Sequence, residues 1–351
     1  MMTKDELNMI ADEVSKRLKN LDSLIEQKNN GVPEGESGMP RNQSLKTFTE
    51  TWLHTFKQDS IKESSYDALY RQFVAMSNFP IADMNIQEIT SMDIQQYISQ
   101  LIQKGYALST IKKLARIVTA PLKKAAALRI IPSDPGIDVR FPSPQKVKKP
   151  PRPSEAYTKD ELNRLNRQLD TGKRAGYPAI IIMLEEGLRI GEALALNWED
   201  VNLEQKKLHI HKTVIRLASR KESKVVEGAK TFSSNRTIPL TPRAIITLLR
   251  CKVGYDPKPD DPVFLGNDGE RLTYEAIRYQ TQMLCKDADV KYRGEHAFRH
   301  TFATNCYRRG VNVKILSRLL GHSSVQITYD TYIHLYGDGF DDMMKAMGGE
   351  L

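Results

Sequence analysis

The chain has 351 residues, enough for two domains with a sizeable core. Its formal net charge is +9, a balance that suits a polyanionic partner but does not by itself exclude a merely soluble basic protein. Cys251, Cys285 and Cys306 are too few and too scattered for a disulfide framework or a metal cluster. The longest wholly apolar run, Ala179 to Leu184, is too short to span a bilayer. Lys4, Asp5 and Glu6 argue against a signal peptide, so a cytoplasmic protein without membrane contact is expected.

Residues 1–30 predict an amphipathic helix. Ile10, Val14, Leu18, Leu21 and Ile25 recur at steps of three and four, between mixed charges that favour a protein contact over a DNA grip. Residues 31–43, with Gly31, Pro33, Gly35, Gly38 and Pro40, predict a linker. Helical spacing then returns over 45–56, 62–78, 91–104 and 109–128, with Ser91 as a plausible N-cap, so 44–141 is expected to form a small all-α domain. Lys112, Lys113, Arg116, Lys123 and Lys124 make its fourth helix basic; a solvated face explains them as well as a nucleic-acid contact does. Residues 142–154 hold Pro142, Pro144, Pro150, Pro151 and Pro153 with Lys146, Lys148, Lys149 and Arg152. That composition predicts an extended basic strap, suited to a phosphate backbone.

A second domain is expected over 155–336. Thr158 and Glu161 form a capping-box pattern before a helix to Leu169. Buried helical character follows over 179–186, then a short helix over 189–196. Lys207 to Ile215 alternates like a single strand, with Arg236 to Leu240 as its partner and a long loop or hairpin between them. His209 and His211 share a strand face, and without a third ligand in the pattern they are read as exposed. Helices near 241–250, 273–288, 295–309, 312–320 and 324–335 complete a mainly α domain with a small antiparallel sheet. In 337–351, Phe340, Met343, Met344 and Met347 recur at helical spacing after a glycine-rich break.

His296 and Arg299 lie three apart, so on a helix they share a face and can form an anion site. Around them stand Leu188-Arg189-Ile190-Gly191-Glu192, then Lys230-Thr231 with Arg236-Thr237-Ile238-Pro239-Leu240, Leu320-Gly321-His322-Ser323-Ser324, and Thr331-Tyr332-Ile333-His334-Leu335. This order of motifs, spread over about half of the chain, resembles the tyrosine recombinase (phage integrase) family. The resemblance implies an all-α core-binding domain that closes over DNA, joined to an α+β catalytic domain. It implies site-specific strand exchange through a 3′-phosphotyrosyl intermediate, with no ATP, metal or other cofactor.

Tyr332, ten residues after His322, matches the nucleophile, with Tyr329 as the alternative. Arg189 and Arg299 match the pair that stabilises charge on the attacked phosphate. Lys230 matches the general acid, although Lys221 and Lys224 share its loop. His296 matches the proton acceptor, and His322 a donor to a phosphate oxygen. Glu192 could orient Arg189. A free tyrosine has a pKa near 10, so the nucleophile needs such help. The implied partners are double-stranded DNA at core recombination sites, sister subunits in a synaptic homotetramer built from free monomers, and accessory DNA-bending or excision factors. Bound to DNA, such a protein associates with the nucleoid, and the tail at 337–351 is placed to dock on a neighbouring protomer. A type IB-like topoisomerase and a non-catalytic DNA-binding regulator are the alternatives.

Overall fold

The computed structural model describes residues 42–143, 147, 156–219, 222–228, 235–254 and 256–332, with residues 330–332 described by backbone alone. The helix expected over 1–30, nearly all of the linkers at 31–43 and 142–154, the segment holding Lys230, and the tail at 337–351 lie outside that set. The chain divides into two compact units between Pro151 and Arg152. Among the described residues no helix is long and apolar enough to cross a membrane.

The first unit is helical: α1 (Leu45–Phe56), α2 (Glu63–Met76), α3 (Ser91–Gln103) and α4 (Leu108–Ala127), with a short 3-10 turn at Pro80–Asp83. Ser44 caps α1 by accepting from the Thr47 N–H at 3.2 Å. The cap of α3 is Thr90, not Ser91, which is the first helical residue. Asp93 accepts from the Thr90 N–H at 2.8 Å and its own N–H returns to Thr90 Oγ1, so a capping box fixes the start one residue earlier than expected. Phe48, Ile94, Tyr97, Ile111, Val118 and Leu122 fill the core. The apolar face of α4 is thereby spent on packing, and Lys112, Lys113, Arg116 and Lys123 are left exposed. Lys124 instead lies over the Phe56 ring, 4.5 Å from its centroid.

The second unit begins with α5 (Lys159–Leu169), where Thr158 and Glu161 form the expected capping box. α6 (Tyr177–Glu186) is buried on almost every side, as its composition requires, and ends at Gly187. α7 (Ile190–Ala195) follows. Strands β1 (Val201–Asn202), β2 (Lys207–Ile210) and β5 (Arg236–Pro239) form one antiparallel sheet, in the order β1-β2-β5. β3 (Lys212–Leu217) and β4 (Glu222–Glu227) form a separate hairpin. The single strand expected over 207–215 is thus two, divided at His211. The cause is a change of partner: Ile210 pairs with Arg236, whereas Lys212 pairs with Glu227. Gly228, at φ 74°, ends the hairpin by donating to the His211 carbonyl at 3.1 Å. Helices α8 (Pro242–Lys252), α9 (Tyr274–Asp287), α10 (His296–Arg308), α11 (Val313–Leu320) and α12 (Val325–Tyr332) complete the unit. Leu165, Ile180, Ile182, Leu208, Ile238, Leu248, Ile277 and Phe298 form one core beneath α6 and α10.

Candidate active site

The site is built where the end of α6, the start of α7, strand β5, helix α10 and the end of α11 meet. Arg189 is the N-cap residue of α7, and its extended backbone directs its N–H to Glu192 Oε2 at 2.9 Å. Its guanidinium returns to Glu192 Oε1 at 2.7 Å. Arg236 enters from β5, where alternation buries Arg236 and Ile238 and exposes Thr237 and Pro239. It grips the same carboxylate through both Nη atoms, at 3.2 and 2.9 Å. Arg299, on α10 and 3% exposed, approaches Glu192 to 3.9 Å. Three guanidiniums therefore face one buried carboxylate. Burial alone would raise the Glu192 pKa, but the Arg236 hydrogen bonds and the charges of Arg236 and Arg189 hold it at about 2.

The remaining donors of these arginines turn to main-chain carbonyls. Arg236 Nε donates to Leu319 O at 2.7 Å. Arg299 donates to Gly187 O at 2.9 Å and to Leu320 O. Arg189 reaches Leu320 O and Gly321 O at 3.5 and 3.4 Å. The carbonyls at a helix C-terminus lack intrahelical partners and carry partial negative charge, so cations are well placed there. Gly321, at φ 64°, closes α11. Its N–H donates to Arg318 O, and the His322 N–H donates to Ser317 O at 3.1 Å. This Schellman turn delivers His322 to the arginines. Gly187, at φ 66°, is equally constrained, because a Cβ there would lie 2.4 Å from the Phe302 ring.

With three positive charges and one negative, the cluster has a net charge of +2 and attracts an anion. Arg189 is the open member, its side chain 36% exposed. His296, the first residue of α10, keeps a solvent-exposed edge; partial desolvation, then the charges of Arg299 and Arg189, lower its pKa. Its ring meets that of His300 edge-on, with centroids 5.4 Å apart. His322 is half-buried, and its Nδ1 lies 2.7 Å from Thr328 Oγ1. Burial, then Arg299, Arg189, Arg236 and His296, push its pKa down to about 4. Both imidazoles are thus neutral near pH 7, able to accept or donate one proton.

The structure brings Arg189, His296, Arg299 and His322 into one cluster, of which spacing alone places only His296 and Arg299 on one helix face. The backbone of Tyr332 lies in α12, which packs on α11. Tyr329 is exposed. Lys230 lies outside the described residues, as do Lys146, Lys148, Lys149 and Arg152; Lys112, Lys113, Arg116 and Lys123 belong to the first unit. Sequence reasoning missed Arg236 and Thr328 as site residues. The alternation of β5, which puts an arginine on the same face as Ile238, was the available signal for the first.

The pair of His209 on β2 and His211 just after it also needs correction, since a third potential ligand is present. Asp200, from the turn before β1, accepts from His211 Nε2 at 2.8 Å, and the donor atoms of Asp200, His209 and His211 lie within 4.8 Å of one another. Residues so far apart in sequence converge only through the sheet. Lys212, however, already pairs with Asp200 at 3.1 Å, and His209 Nε2 bonds Asn235 at 2.9 Å. An ammonium so close to the carboxylate opposes a second cation there.

The pattern of the phage integrase family matches residues 155–338. A XerC-like tyrosine recombinase of Caldanaerobacter subterraneus subsp. tengcongensis is 26% identical over 344 residues, covering 91% of this chain and 86% of the relative. Among solved structures, the Tn1549 transposon integrase in complex with a circular intermediate DNA superposes with a TM-score of 0.74 at 20% identity, covering 87% of this chain and 99% of the other. A lambda integrase tetramer bound to a Holliday junction gives 0.61 at 16% identity, over 83% and 77%.

Proposed function

The chain belongs to the phage integrase family and is a tyrosine-type site-specific DNA recombinase, and on that premise we propose that it cuts and rejoins core-site DNA through a phosphotyrosyl bond to Tyr332. The observation that supports this most is the +2 arginine cluster around Glu192, open at Arg189 and bordered by two neutral histidines.

Tyr332 Oη attacks the scissile phosphorus, forming an O–P bond as the bond to the 5′ oxygen breaks. Charge grows on the non-bridging oxygens, where Arg189 and Arg299 stabilise it. His296 accepts the tyrosine proton, and His322 hydrogen-bonds a phosphate oxygen. Lys230 protonates the departing 5′ oxygen. The reverse reaction with a new 5′-hydroxyl reseals the strand, so bond energy is kept in the phosphotyrosine and no external energy source enters. Duplex DNA is the partner. In this reading four subunits form the synaptic complex, the basic face of α4 and the strap at 142–154 contact backbone phosphates, and the tail at 337–351 links neighbouring subunits. Accessory DNA-bending or excision factors assist, and the DNA-bound form resides with the nucleoid in the cytoplasm.

A nicked suicide substrate traps the covalent intermediate, which a denaturing gel resolves. Wild type is expected to give an adduct and Tyr332→Phe none, with DNA binding intact. An adduct that survives in Tyr332→Phe, or is lost only in Tyr329→Phe, moves the nucleophile.

A further inference from the structure

Thr328 is a close partner of a site residue to which the reaction as described gives no task. It lies inside α12 and is 1% exposed. Its hydroxyl oxygen lies 2.7 Å from His322 Nδ1. A neutral imidazole carries a single N–H, and the partner of one ring nitrogen decides which nitrogen holds it. If Nδ1–H donated to Thr328, Nε2 would present a lone pair, which repels the lone pairs of a phosphate oxygen. If the threonine hydroxyl donates to Nδ1, Nε2 carries the hydrogen and attracts that oxygen. The groups facing the ring are Arg299, Arg189, Arg236 and His296, three of them permanent cations that discourage a second ring proton. His322 therefore needs a fixed tautomer if it is to donate without becoming charged.

The same contact has a mechanical side. Thr328 is one helical turn before Tyr332, and the first residues of α12 are exposed. His322 is held at the other end by the Schellman turn that closes α11, whose final carbonyls take the arginine donors. One hydrogen bond thus joins the helix bearing the tyrosine to the phosphate-binding cluster.

We propose that Thr328 is a positioning residue for strand cleavage: its hydroxyl donates to His322 Nδ1, fixes the Nε2–H tautomer as a neutral donor to the scissile phosphate, and ties α12 to the arginine site. The inference rests on the recombinase reading, but its first test does not use activity.

Nitrogen-15 spectroscopy of the histidines in the free wild-type protein, assigned by comparison with His322→Gln, reads the tautomer directly. The expected result is an unprotonated Nδ1 and a protonated Nε2 at pH 7; the reverse assignment overturns the proposal. Thr328→Val keeps the shape and removes the hydroxyl. It is expected to mix the tautomers and slow cleavage of a suicide substrate about tenfold, the equivalent of one ordinary hydrogen bond. DNA affinity should be unchanged, and Thr328→Ser should restore the rate. Cleavage by Thr328→Val at the wild-type rate, or a Thr328→Ser as slow as Thr328→Val, also overturns it. Were the recombinase reading itself wrong, wild type would form no adduct at all, a different outcome from an adduct indifferent to Thr328.

Discussion

At the scale of single residues, Glu192 decides whether the site holds its shape. It is 3% exposed and is shared by Arg189 and Arg236, with Arg299 beyond. Glu192→Gln would leave three guanidiniums with no counter-charge. Removing one partner of a buried ion pair costs about 3–5 kcal/mol. Urea unfolding of Glu192→Gln should show a loss of that order, and a loss below about 1 kcal/mol, the size of an exposed pair, would remove Glu192 as the anchor. His322 gives a pH signature. Its folded pKa of about 4 lies below the reference of 6.5, so the unfolded chain binds the extra proton between those values. The stability that a neutral His322 contributes is complete above pH 6.5 and is lost as pH falls through 4. Unfolding free energies of wild type and His322→Asn should therefore converge as the pH drops across that window. Parallel curves would count against a depressed His322.

At the scale of elements, the helices were legible because most bury one face and α6 buries nearly all of its surface. The apolar spacing of α1 through α4 and the cap at Thr158 are local signals. The strands were less so. β1 has two residues, and β4, reading Glu-Ser-Lys-Val-Val-Glu, pairs only with β3 and has no deeply buried face. Which strand pairs with which is set by distant segments, so the break at His211 left no local mark. For the same reason helical spacing could pair His296 with Arg299 and the family resemblance could point to Arg189 and His322, whereas the meeting of Arg189, Arg236 and Arg299 on one carboxylate could not be read from either. Helix α4 yields a prediction at this scale. Lys112, Arg116 and Lys123 are spaced at four and seven, on one exposed face. Each phosphate contact contributes about 0.9 to the slope of log affinity against log salt. Replacing all three with alanine should reduce that slope by up to about 3 in gel shifts across a salt series. An unchanged slope would take α4 off the DNA face.

At the scale of the whole molecule, the two units have separate cores, Phe48 and Tyr97 in one, Ile180 and Phe298 in the other. Each unit therefore holds the buried apolar side chains that its own fold needs. Removal of residues 338–351, proposed above to link neighbouring subunits, is expected to leave binding to a single half-site nearly unchanged and to abolish cooperative filling of a full core site. A titration in which the shortened protein still fills both half-sites cooperatively would assign the tail to its own subunit.

The arginines of the site rest on two kinds of support with different histories open to them. Glu192 is a side chain, and one nucleotide change can erase it. The carbonyls of Leu319, Leu320 and Gly321 belong to the main chain, and no coding change deletes a carbonyl. Leu319, only partly buried, can drift among residues of similar size and still receive the Arg236 donor. The carbonyl support is thus indifferent to the side chain at Leu319 but depends on the glycines that turn the main chain, and the charged support is concentrated in a single carboxylate.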